Sequence, residues 1–112
     1  MLFFLIVGHA LADYPLQNGP MAIEKCRRSS SDLQKVVPWY YWLTAHALIH
    51  GGFVGWITQS AGLGILETVC HWILDYLKCE GWTNIHIDQL LHIVCKVVWY
   101  LLLINGITLR FE

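Results

Sequence analysis

The chain has 112 residues, of which 56% are hydrophobic and 13% charged, with a formal net charge of −1 and a mean hydropathy of +0.50. That length suits one domain, and the apolar excess over soluble proteins excludes a disordered chain. Seven Lys and Arg against eight Asp and Glu leave no basic excess, which argues against a nucleic-acid partner.

Four apolar stretches, Leu2 to Ala12, Val36 to Ile57, Ala61 to Leu77 and Ile85 to Leu109, are separated by short polar segments. Three approach or exceed the roughly 20 residues that cross a bilayer as a helix. The expected fold is an all-α, four-helix transmembrane bundle forming one integral membrane domain over 1–112, with helices at about 1–16, 37–58, 61–78 and 85–109. A soluble bundle is the alternative, but its helices each carry a charged outer face. Ala45 to Ile57 and Val97 to Leu109 have none.

The first helix is short and crosses only if it continues through Asp13 and Tyr14, if the bilayer thins, or if partners flank it. Ala10-Leu11-Ala12 imitates a signal-peptide cleavage site, but no Lys or Arg precedes the apolar run, so the segment reads as mature sequence. Pro15 and Pro20 end this helix, and Met21 to Arg27 is expected to form a short helix on the membrane surface. Lys25, Arg27, Arg28 and Lys35 in the first loop and Lys78 in the third, against none in the second, place loops one and three in the cytoplasm and both termini outside. Arg110 opposes that orientation. Trp39, Tyr40, Tyr41 and Trp42 suit an interfacial aromatic belt. Gly51 and Gly55, four apart, suit a close helix–helix seam. Cys26, Cys70, Cys79 and Cys95 form no Cys-x-x-Cys pair and read as free thiols, with no thiolate metal site among them.

The histidines carry the chemistry. His9 and Asp13, His46 and His50, His71 and Asp75, and Asp88 and His92 each stand four apart, one pair in each long helix, and so share a helix face. Eight of the ten His and Asp residues fall into these pairs, which chance explains poorly. The helices alternate in direction. At about 1.5 Å per residue the pairs lie near the C-terminal ends of helices one and three and the N-terminal ends of two and four, so all converge on one layer.

An Asp inside a membrane helix costs about 2.5–3.5 kcal/mol, and three of them need compensation. Eight imidazole and carboxylate ligands around one or two divalent ions supply it. The mixed nitrogen and oxygen set suits Zn first, then Mn, Fe or Ni. A metal-free polar relay is the alternative. Gln17 and Gln89 stand where they orient the ligands. Glu67 and Lys96, one turn deeper on neighbouring helices, are expected to meet as a buried ion pair. Glu67 is also a candidate general base for a water molecule. His86 lies outside the pattern.

At these residues the chain resembles small bacterial and phage membrane proteins grouped as domain of unknown function 3307. The likeness is carried by His9-Ala-Leu-Ala-Asp13-Tyr14-Pro-Leu-Gln17, Met21 to Lys25, His46-Ala-Leu-Ile-His50-Gly51, His71-Trp-Ile-Leu-Asp75-Tyr76-Leu-Lys78 and Asp88-Gln89-Leu-Leu-His92. It implies a four-helix membrane fold and no established activity; the expected location is a bacterial inner membrane, where the outward termini of the charge argument are periplasmic. The arrangement is also similar to that of membrane-bound metal-dependent hydrolases, by analogy only.

The leading expectation is a metal-dependent hydrolase acting at the cytoplasmic headgroup level on a lipid or phosphate-containing substrate, with Lys25, Arg27, Arg28 and Lys78 as phosphate contacts. Their other reading is charge that sets topology. Two alternatives stay open. One is a divalent-cation carrier, which with four helices requires a homo-oligomer. The other is a non-catalytic protein whose metal staples a small bundle and whose loops bind a membrane protein partner.

Overall fold

A computed structural model describes residues 1–107, so the expected end of the last helix at Leu109, and Arg110, lie outside the described residues. Those described form helices and loops, with no strand among them. The helices are α1 (Leu2–Asp13), α2 (Gly19–Glu24), α3 (Leu33–Val36), α4 (Trp39–Thr58), α5 (Ala61–Cys79) and α6 (Ile85–Ile104), with a 3-10 turn at Arg27–Ser29.

Local chemistry sets the boundaries. Pro38 precedes α4, and Gln59 closes it in the left-handed region at φ 54°. Ser60 and Asn84 cap α5 and α6 by accepting from the backbone N–H of Leu63 and Ile87. Only Gln59 and Ser60 separate α4 from α5, so these two helices run antiparallel. Helix α4 packs on α1 and α5, and α6 closes the ring against α5 and α1.

The glycine seam is real, and its partner is Gly64. A Cβ at Gly51 would lie 1.8 Å from Thr68 Oγ1 and 2.5 Å from the Gly64 carbonyl, whereas one at Gly52 meets nothing. Only a glycine at position 51 lets α4 approach α5 this closely.

Polarity is distributed inside out. The apolar core is small, built on Leu5, Val54, Leu63 and Trp99. Phe3, Phe4, Leu48, Trp56, Ile65, Leu90 and Leu101 face outward, while His46, His50, Glu67, His71, Asp75, Asp88, His92 and Lys96 are almost wholly buried. The all-α expectation holds, but the described residues form six α-helices where four were expected. Only α6 among them is both long and apolar enough to cross a membrane alone. Helix α1 is apolar but ends at Asp13 after 12 residues, short of the expected residue 16.

Two expectations are corrected. The surface helix expected over Met21 to Arg27 is α2 followed by the 3-10 turn, and it turns Glu24 and Lys25 inward. Cys26 and Cys79 are not free thiols: they form a disulfide across 53 residues, while Cys70 and Cys95 are free. Spacing of cysteines along a chain carries no information about a pair so far apart.

Candidate metal centre

Each long helix contributes its His or Asp pair to one interior layer. Within α1, His9 Nε2 lies 3.3 Å from Asp13 Oδ2, and within α6 His92 Nε2 lies 3.2 Å from Asp88 Oδ1. Between helices, the His50 and His71 rings stack at 3.6 Å, and His71 and His92 at 4.3 Å. Asp13 gathers the imidazoles: His50 Nε2 donates to its Oδ1 at 2.9 Å, and His46 Nε2 stands 3.3 Å from the same oxygen.

The eight candidate residues divide into two kinds. Ligand atoms of Asp13, His46, His50 and His71 lie within 4.8 Å of one another, and so do those of His9, His71 and His92. Asp75 and Asp88 lie in the same layer but face lysines. Lys25 Nζ donates to Asp75 Oδ2 at 2.6 Å and to Gln17 Oε1 at 2.5 Å. Lys78 Nζ lies 3.0 Å from Asp75 Oδ1 and 3.3 Å from Asp88 Oδ2.

The residues fit a metal by one physical test. Seven buried ring nitrogens make no hydrogen bond: Nδ1 of His9, His50 and His92, and both nitrogens of His46 and His71. At about 1–3 kcal/mol for each unsatisfied group, this equals or exceeds the whole stability of a small domain. A divalent ion takes such lone pairs directly. Charge and sharing favour a single ion. Three carboxylates and two ammonium groups leave the layer one negative charge, and His71 belongs to both donor groups.

Gln89 holds the layer in register. Its Oε1 accepts from His9 Nε2 at 3.0 Å, and its Nε2 donates to Asp13 Oδ2 at 2.8 Å, which leaves the His9 lone pair on Nδ1. Gln17 acts one step removed, on Lys25 and the Asp13 carbonyl. His86 is exposed and outside the layer.

Beneath the layer, Glu67 accepts from Lys96 Nζ and Trp99 Nε1, both at 2.6 Å. Both carboxylate oxygens are therefore engaged, and the nearer histidine atom, His71 Nδ1, is 3.6 Å away. This geometry gives Glu67 a structural partner and leaves little for a proton-transfer role.

Arg27 and Arg28 both engage Glu80, Arg27 through two hydrogen bonds of 2.8 Å. These contacts hold the Glu80 carboxyl below its ordinary range. Its contribution to stability is present above the unfolded-state value and lost as pH falls through the lowered folded value. Burial lowers the Lys25 ammonium value, and Asp75 opposes that shift. The inward turn of Lys25 and Lys78 is not legible from reading them as phosphate contacts or as charges that set topology. The signal available was two Lys-Cys dipeptides flanked by opposite charges, Arg27-Arg28 and Glu80.

Fold and site together define a class: an all-helical protein whose interior is one layer of convergent imidazoles and carboxylates. The chain belongs to the family described as Protein of unknown function (DUF3307), whose family model matches residues 1–109. No curated protein and no solved structure matches it.

Proposed function

We propose that this protein is a membrane-embedded, metal-dependent hydrolase acting at headgroup level on a lipid or another phosphate-containing substrate. The single observation that carries the metal reading is the convergence of five histidines and Asp13 from α1, α4, α5 and α6, with seven buried ring nitrogens that make no hydrogen bond. The inside-out polarity supports the bilayer. Water-soluble proteins bury apolar side chains and expose charged ones, whereas here the outward surface of α1, α4, α5 and α6 is largely apolar. Helices α4 to α6 have 19 or 20 residues, and a 20-residue helix is about 30 Å long, the depth of a hydrocarbon core. The polar residues that lower the apolarity of α4 and α5 point into the layer.

Asp13, His46, His50 and His71, or His9, His71 and His92, would hold a divalent ion, zinc by the donor set, which when bound would supply Lewis acidity and lower the pKa of a water. Asp13 and Gln89 orient the imidazoles. Each lysine ammonium has three N–H donors; Lys25 and Lys78 each face two acceptors, leaving one donor apiece for a substrate oxygen. Arg27 and Arg28 rest on Glu80 but keep further N–H donors at the surface, so the phosphate contacts proposed are Lys25, Lys78, Arg27 and Arg28 together.

One observation favours a second reading, a structural metal staple: His46, His50, His71, Asp75, Asp88 and His92 are at most 1% exposed, so the layer is shut. Incubating the zinc-loaded protein with mixed micelles of phospholipid and phosphorylated lipid separates the two. Release of phosphate or fatty acid that falls to background in Asp13→Ala is expected. Zinc retained with no turnover supports the staple, and zinc uptake into proteoliposomes without turnover supports a carrier.

A further inference from the structure

Two dipeptides, Lys25-Cys26 and Lys78-Cys79, meet at the mouth of the layer, joined by the Cys26–Cys79 disulfide with a Cα separation of 5.0 Å. The residue before each cysteine turns inward: Lys25 and Lys78 both rest on Asp75. The residues after each cysteine pair outside: Arg27 and Arg28 on Glu80. Gln34 braces the loop by donating to the carbonyls of Glu24 and Cys26 at 3.0 and 2.9 Å, and Ser31 hydroxyl donates to the Glu24 carboxylate. Together these contacts clasp the 3-10 turn segment to the end of α5.

The clasp has a physical weak point. Two ammonium groups of like charge meet on Asp75, with Asp88 as the second partner of Lys78, and the disulfide ties together the residues that follow both lysines. Cys26 and Cys79 are only half-buried, whereas the layer beneath is closed. Loop charge carries the expectation that this end faces the cytoplasm, where disulfides are usually transient and redox-sensing.

We propose that the Cys26–Cys79 clasp is a thiol–disulfide gate on the histidine layer: oxidised, it holds Lys25 and Lys78 over Asp75 and shuts the layer; reduced, it frees the segment and admits ion and substrate. What the gate admits rests on the metal reading, but its movement does not. Opening with a water-soluble phosphine is balanced. The S–S bond breaks, phosphorus gains an oxygen from water as phosphine oxide, and the two protons of that water end on the Cys26 and Cys79 thiols.

The experiment compares the detergent-purified full chain before and after phosphine treatment. Amine acylation at Lys25 and Lys78, read by peptide mass spectrometry, is expected to accelerate about tenfold or more on reduction, as local opening requires. Lys35, whose side chain is 77% exposed, serves as the unchanged control. Zinc uptake from a chromophoric indicator is expected to accelerate in parallel. A Cys26→Ser, Cys79→Ser double variant is expected to behave as the reduced protein and ignore phosphine; should it fail to fold, reduction of the unmodified chain stands on its own. Equal acylation of Lys25 and Lys78 in both redox states overturns the gate. Faster acylation with no zinc uptake in either state keeps the gate and overturns the metal reading.

Discussion

His71→Ala is expected to weaken zinc binding by about two orders of magnitude or more, beyond the roughly 10–100-fold loss seen when an orienting partner is removed. His71 is the residue common to both donor groups, and its ring stacks between those of His50 and His92. Its loss therefore breaks either arrangement an ion could choose. Gln89→Ala removes one amide that bridges His9 and Asp13 and should fall within the 10–100-fold range. His86→Ala, at an exposed position, should change nothing. Competition titration against a chelator of known affinity measures all three. A His71→Ala protein that binds zinc like the unmodified chain would remove that residue from the site.

The second large effect concerns the charges below the layer. Glu67→Gln leaves the Lys96 ammonium, 1% exposed, without its counter-ion, and breaking one side of a buried pair costs about 3–5 kcal/mol. Lys96→Met added to Glu67→Gln removes the stranded charge as well and should recover most of that loss. Thermal unfolding in detergent across the four proteins yields the coupling. A double variant no more stable than Glu67→Gln alone would mean that Glu67 is held by Trp99 and not by the ion pair.

Those two residues illustrate what the chain makes legible. Residues four apart in a helix share a face, so the His and Asp pairs, and the meeting of Glu67 with Lys96, follow from counting turns. The long helices were legible for the same reason, since Ser60, Asn84 and Pro38 punctuate clear apolar runs. What counting turns cannot reveal is a contact between loop and helix end. Cys26 reaches Cys79, and Lys25 reaches Asp75 across 50 residues, through a fold that brings α2 under α4, and neither separation has a period. Gly51 was legible as a small residue, but Gly64, its partner, needed the antiparallel register of α4 and α5. Asp75 and Asp88 are legible as the right residue type at the right depth, but the lysines that face them, Lys25 and Lys78, lie outside the pattern of paired residues.

Both the hydrolase and the staple readings require a metal in the layer. Elemental analysis of the detergent-purified chain, before and after reconstitution with zinc, tests this most directly. One divalent ion per chain, lost in His71→Ala, is the predicted result; no stoichiometric metal in either preparation would contradict it.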